Sequence, residues 1–95
     1  MNKYEAMFIL KADLSEEERK GVFNQIGEAI QKSNGTVTTS SVWTDKRKLY
    51  FPIRKQKDGL YYLVNFSLNP LSIKDIQHAY ALNENILRVL ISNVE

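Results

Sequence analysis

The sequence predicts an α+β fold of the ferredoxin-like, split βαβ type: a four-stranded antiparallel sheet with two helices on one face. Three observations predict it. Apolar and polar residues alternate in four stretches and adopt helical spacing in two others, in the order β-α-β-β-α-β. The chain has 95 residues, enough to bury the core of one such unit spanning 1–95. Glycine (4) and proline (2) are scarce enough to act as punctuation, with no repeat, low-complexity tract or linker.

The first strand, residues 3 to 10, sets Tyr4, Ala6, Phe8 and Leu10 against Glu5, Met7 and Ile9. Its second face is unusually apolar. Ser15 with Glu18 three positions on forms a capping box, and Glu16, Glu17 and Glu18 suit the positive end of the helix dipole. Val22, Phe23, Ile26, Ala29 and Ile30 continue the helix until Asn34-Gly35 ends it as a C-cap pair. From Thr36 the residues become β-branched and aromatic (Val37, Thr38, Thr39, Val42, Trp43, Thr44), and a second extended stretch, Leu49 to Ile53, follows a basic triplet. Pro52 cannot donate to a ladder, which places this long strand at a sheet edge. Asp58-Gly59 is a hairpin-turn signal, and residues 60 to 68 resume as a strand broken by Asn69-Pro70. Ser72 and Asp75 predict a second capping box, opening a helix with Ile73, Ile76, Ala79 and Tyr80 on one side. Asn83-Glu84-Asn85 then turns the chain into a last strand, Ile86 to Ser92.

Alternation assigns Ala6, Phe8, Val37, Val64, Phe66, Leu87, Val89 and Ile91 to the helix-covered face. Glu5, Met7, Ile9, Tyr61, Leu63, Asn65, Arg88 and Leu90 fall on the open face, where so much apolar area points to a partner. A register slip of one residue would exchange the two faces, most consequentially for Tyr61 and Tyr62.

The formal net charge of +2 conceals an uneven distribution. Residues 46 to 57 hold Lys46, Arg47, Lys48, Arg54, Lys55 and Lys57 and no acid, a local +6, while the rest of the chain carries −4. Clustered cations suit a polyanion, because phosphate neutralisation releases condensed counterions. The plainer reading is a solvated hairpin kept from aggregating by its charges. Interleaved Trp43, Tyr50, Phe51, Tyr61 and Tyr62 add stacking surfaces, so the segment suits backbone and shape recognition of folded RNA. The RNA-recognition motif shares the strand order, but its aromatic octapeptide is missing.

Other chemistry is poorly supported. The absence of cysteine excludes disulfides, thiol catalysis and thiolate metal sites, and a single His78 cannot build a histidine cluster. No phosphate-binding glycine loop or H-E-x-x-H pair occurs. Some ferredoxin-like proteins hydrolyse acyl phosphates with an arginine and an asparagine, roles open to Arg19 or Arg88 with Asn65. The loop after the first strand, Lys11-Ala12-Asp13-Leu14-Ser15, lacks the glycines that chemistry needs. No apolar run is long enough to span a bilayer and no signal-peptide core is present, so a cytoplasmic setting is expected, with no cofactor, membrane or small-molecule substrate.

Several segments resemble one family. Tyr4-Glu5, then Trp43-Thr44-Asp45-Lys46-Arg47-Lys48-Leu49-Tyr50-Phe51-Pro52-Ile53-Arg54-Lys55, then Gly59-Leu60-Tyr61-Tyr62, and finally Leu82-Asn83-Glu84-Asn85-Ile86-Leu87-Arg88 are similar to bacterial small-subunit ribosomal protein six. The resemblance covers essentially the whole chain in the same element order. It implies a non-enzymatic ribosomal component that binds the central domain of the small-subunit ribosomal RNA and pairs with small-subunit ribosomal protein eighteen. By position, Arg47, Lys48, Lys55 and Arg88 inherit RNA contact, with Tyr4 and Asn83 as further candidates. The charge pattern adds Lys46, Arg54 and Lys57, and Lys3 lies beside Tyr4. Met7, Ile9, Trp43, Tyr61 and Leu63 are assigned to the protein partner. The alternative is a protein-interaction module that uses the open sheet face or edge strand without touching RNA. Thr44 and Tyr50 depart from the glycine and the small residue that the family often has there. Some members carry a charged tail; this sequence stops at Glu95, so no tail-dependent contact is expected.

Overall fold

The structure is a computed structural model describing residues 1–94; the side chains of Asp45, Lys46 and Tyr50 lie outside the described set, as does Glu95. Strand β1 (Asn2–Lys11) leads through a short turn to helix α1 (Glu16–Lys32). Strands β2 (Thr36–Ile53) and β3 (Gln56–Leu68) form a long hairpin, followed by a 3₁₀ turn (Pro70–Ser72), helix α2 (Ile73–Ala81) and strand β4 (Ile86–Asn93). The sheet order is β2-β3-β1-β4 with every neighbouring pair antiparallel, as the split βαβ arrangement requires. β2 is an edge strand, in keeping with Pro52.

Helix α1 begins as its residues predict. Ser15 Oγ accepts from the Glu18 N–H at 3.1 Å, and the Ser15 N–H donates to Glu18 Oε1 at 3.0 Å. This closed box holds the Glu18 carboxyl below its ordinary pKa, chiefly through the Ser15 backbone N–H. At the other end Asn34, not Gly35, takes the left-handed conformation, with φ of 64°. Gly35 is needed for space: a Cβ there would fall 2.7 Å from Ile30 and Leu68 side-chain carbons. The start of α2 departs from expectation. Ser72 makes no side-chain cap; Asn69 Oδ1 instead accepts from the Leu71 N–H, and Pro70 opens a 3₁₀ turn that feeds the helix. Proline at a first helical position, directly after an Asn cap, decides the entry point over the Ser72/Asp75 pair.

The main core lies between the sheet and the helices. Ala6, Phe8, Leu10, Leu60, Val64, Phe66 and Leu68 meet Val22, Ile26, Ile30, Ile76 and Tyr80 there. Tyr62 belongs to this side, stacked on Phe23 at 4.0 Å between ring centres. The register of Tyr61 and Tyr62 is thereby settled, because Tyr62 pairs with Phe8 and Tyr61 with Ile9. Tyr80 ties the helices together, donating its hydroxyl to the Ile26 carbonyl at 2.8 Å, and burial pushes its phenol well above the usual range.

One face assignment is corrected. Leu87 does not join the helix-covered core; it packs with Ile9 and Leu49 in a second buried cluster on the opposite face. The β1–β4 register shifts between Ile9 and Leu10, so Arg88 pairs with Ile9 while Ile86 pairs with Leu10. The intervening Leu87 is a bulge residue, and strict alternation fails at a bulge. Val89 and Ile91, beyond it, pack against the main core as expected.

Candidate nucleic-acid interface

The basic segment lies along the outer half of the β2–β3 hairpin. Residues 46 to 53 belong to β2, so the basic triplet and the Leu49–Ile53 stretch form one continuous edge strand with 36–44. Its pairing is irregular, with register shifts between Val42 and Thr44, Thr44 and Arg47, and Lys48 and Ile53. Bulges of this kind bend and twist a strand, and they blunt an exposed edge.

The hairpin turns at Arg54-Lys55, not at Asp58-Gly59. Ile53 pairs with Gln56, and Arg54 and Lys55 both take positive φ, 49° and 68°. Gly59 lies inside β3, opposite Lys11 and Arg47. It is required by packing: a Cβ at that position would sit 2.6 Å from Ile9 Cγ2 and 3.1 Å from Leu49 Cδ2. A glycine that reads locally as a turn residue therefore clears space beneath the second cluster. That cluster, with Ile53 and Tyr61 against it, fastens the hairpin to the body of the sheet. Arg54 adds a long hydrogen bond from Nη1 to the Ile86 carbonyl at 3.5 Å.

Arg47, Lys48, Arg54, Lys55 and Lys57 are all exposed on this hairpin. The side chain of Lys46 lies outside the described residues. Lys48 stands across from Asp58 in the hairpin register. Arg47 is on the side of the sheet that bears Tyr61, with its guanidinium carbon 5.3 Å from the Trp43 ring centre and 5.7 Å from that of Tyr61. Arg88 is exposed on β4 directly across from Ile9, and Lys3 is exposed near the far end of β1.

Two assigned contacts are corrected by burial. Tyr4 is only 7% exposed and stacks on Phe66 at 5.6 Å, which makes its ring part of the main core. Ile9, also 7% exposed, fills the second cluster instead of lying open to a partner. Asn83 is half-buried and already engaged: Nδ2 donates to Gln25 Oε1 at 2.7 Å, and Oδ1 accepts from the Asn85 N–H at 3.0 Å. It shapes the turn into β4 and braces it against α1.

The remaining partner residues do share a surface. Met7, Leu63 and Leu90 form a cross-strand row over β1, β3 and β4, and Leu90 is 48% exposed. Trp43, 57% exposed, meets Tyr61 edge to face at 5.8 Å beside that row. Alternation with Arg88 puts Leu90 on this face in the sequence, while its pairing with Met7 is set by the register. The Arg88–Asn65 pair of the hydrolase arrangement is not brought together. Arg88 pairs with Ile9 and Asn65 with Glu5, four residues apart along β1, or about 13 Å at ordinary strand rise. Asn65 Nδ2 donates to Thr39 Oγ1 at 3.0 Å. Among the described residues, no three His, Cys, Asp or Glu side chains gather as a metal would require, and no helix is long and apolar enough to cross a membrane.

Comparison with known families agrees with this architecture. The family model described as ribosomal protein S6 matches residues 3–93. The chain belongs to the ribosomal protein S6 family. Among S6 relatives, small ribosomal subunit protein bS6 of Caldanaerobacter subterraneus subsp. tengcongensis is 38% identical over 91 residues, covering 96% of this chain and 95% of that protein. The bS6 protein of Helicobacter pylori strain Shi470 is 39% identical over all 95 residues, which span 66% of its own length. The crystal structure of ribosomal protein S6 from Thermotoga maritima superposes with a TM-score of 0.87 at 22% identity, over 97% of this chain and 86% of that one. The fold is thus that of S6, and the chain is a structural, non-enzymatic component of the small ribosomal subunit.

Proposed function

We propose that this S6-family chain, as one domain spanning 1–95, binds the central domain of the small-subunit ribosomal RNA together with small-subunit ribosomal protein eighteen. The observation that carries the RNA half is the placement of five exposed cations, Arg47, Lys48, Arg54, Lys55 and Lys57, on one hairpin held by its own small core. Arg88 adds a cation on β4 in the cross-strand row of Tyr61 and Ile9, whereas Lys3 stands apart toward the other end of β1, beyond Met7 and Glu5. Folded RNA rewards such a surface through phosphate contacts and counterion release. The protein half rests on the apolar row of Met7, Leu63 and Leu90 beside Trp43 and Tyr61, a patch in which Leu90 and Trp43 are exposed and the others half-buried, and which association would cover.

The two halves separate experimentally. Arg47→Glu with Lys48→Glu is expected to lower affinity for a central-domain RNA fragment at least about tenfold, and to flatten the dependence on salt by roughly one unit of slope per lost phosphate contact. Unchanged affinity and slope would reduce the hairpin charges to a solubility device. Leu63→Asp is expected to abolish association with protein eighteen while leaving the salt slope for RNA intact. If it removed neither interaction, the open face would not be the protein contact.

A further inference from the structure

Arg47 belongs by charge to the RNA surface and Trp43 and Tyr61 by apolarity to the protein surface, yet the three side chains form one cluster. Two register shifts produce it. β2 uses two residues, Val42 to Thr44, where β3 uses one, and three, Thr44 to Arg47, where β3 uses two. The added residues bring Arg47 opposite Gly59, on the face of Tyr61, with Trp43 close by. The guanidinium sits in the corner formed by two rings that meet at 68°.

A guanidinium over an aromatic face keeps its charge and its N–H fork, since the attraction uses the ring quadrupole and not the donors. Stacking therefore restricts the rotamers of an otherwise mobile exposed side chain while leaving its hydrogen-bonding edge available. Pre-ordering of that kind raises affinity by removing an ordering cost from the binding step. Arg47 has such a contact with each of the two rings, so its head is held from two directions.

We infer that Trp43 and Tyr61 are positioning residues for Arg47, holding its guanidinium against a backbone phosphate of folded RNA, and that Arg47 is the anchor among the hairpin cations. This rests on the RNA reading proposed above, and it moves the two aromatic residues from the protein contact to the RNA contact.

A double-mutant cycle on the full chain tests it, with Trp43→Leu, Arg47→Lys and the pair, titrated with a central-domain RNA fragment at two salt concentrations. Trp43→Leu is expected to weaken binding about two- to fivefold, the range of an exposed cation–ring contact. Arg47→Lys should cost at least as much, because lysine keeps the charge but loses the fork. The pair should bind no worse than Arg47→Lys alone, and all three should keep the wild-type salt slope. Tyr61→Leu, which leaves Trp43 in place, should show the same dependence on Arg47. An equal loss from Trp43→Leu in the wild-type and Arg47→Lys backgrounds would overturn the inference, since the indole would then act on RNA or partner directly. So would an Arg47→Lys variant that binds like wild type. Failure of the RNA reading itself looks different: the unsubstituted chain would show no salt-dependent binding.

Discussion

The two apolar clusters of this protein differ in size and in task. The core under the helices joins residues from β1, β3, α1, α2 and β4, with Phe8, Phe66 and Leu10 almost wholly withdrawn from solvent. The cluster on the other face has three buried members, Ile9, Leu49 and Leu87, each still 7% exposed. At a few kcal/mol per buried large side chain, the first cluster decides whether the chain folds. The second is too small to do so. It instead sets the attitude of the basic hairpin, because Leu49 is its contribution from the outer half of β2. Stability and presentation of the charged surface are thus carried by separate sets of residues on opposite faces of one sheet.

Substitutions can break or sharpen that division. Phe8→Ala should have the largest effect, about 3–5 kcal/mol in chemical denaturation, with RNA binding lost only as the folded fraction falls. Leu49→Ala should cost less, about 2 kcal/mol, because its cluster is partly open and small. Its signature is functional: weakened RNA binding under conditions where circular dichroism shows a fully folded chain. Equal stability losses at the two positions would erase the distinction between the two clusters. Ser15→Ala removes the α1 cap and is expected to cost about 1 kcal/mol at neutral pH with no change in RNA affinity. The pH dependence supplies a sharper check. Glu18 has a lowered carboxyl pKa in the folded state, so its stabilisation is present above the ordinary carboxylate range and fades as pH falls through the folded value. Glu18→Gln should remove that part of the acid sensitivity, whereas Ser15→Ala, which keeps the backbone N–H, should remove only the share carried by the hydroxyl; an unaltered acid limb in thermal unfolding of Glu18→Gln would contradict it. Gly27→Ala should be the smallest effect and opposite in sign, a gain approaching about 1 kcal/mol, since an added methyl meets nothing within 4 Å and α1 loses a helix-weakening residue. A melting temperature that stays level or falls would mean that Gly27 has a conformational role.

Features governed by near neighbours were legible in the sequence. The Ser15–Glu18 box, the order of elements along the chain, the edge position of the Pro52 strand and the faces of Phe8, Val64 and Phe66 all follow from local periodicity and hydrogen-bonding chemistry. The misreadings share a cause: long-range packing gave a local signal a different use. Asp58-Gly59 carries a turn signature, but Gly59 is there to admit Ile9 and Leu49, residues distant from it along the chain. Leu87 breaks alternation because a bulge is defined by its partner strand. Tyr4 carries the family resemblance while its ring serves the core, which residue identity alone does not distinguish from a surface contact. Of the candidate site, the charges and the apolar row were visible; the joining of Arg47 to Trp43 and Tyr61 was not, because two register shifts create it.

The placement of Trp43 has a practical consequence for spectroscopy. The chain contains one tryptophan, and it lies half in solvent on the open face, outside both buried clusters. Its emission is therefore a reporter of events at the hairpin root, and a poor gauge of whether the helices are packed on the sheet. Ligand titrations followed at the indole band would read occupancy directly, whereas unfolding is better followed through the buried tyrosines or the backbone signal. A fluorescence transition that preceded the circular-dichroism transition on heating would register release of the hairpin while the main core remained intact.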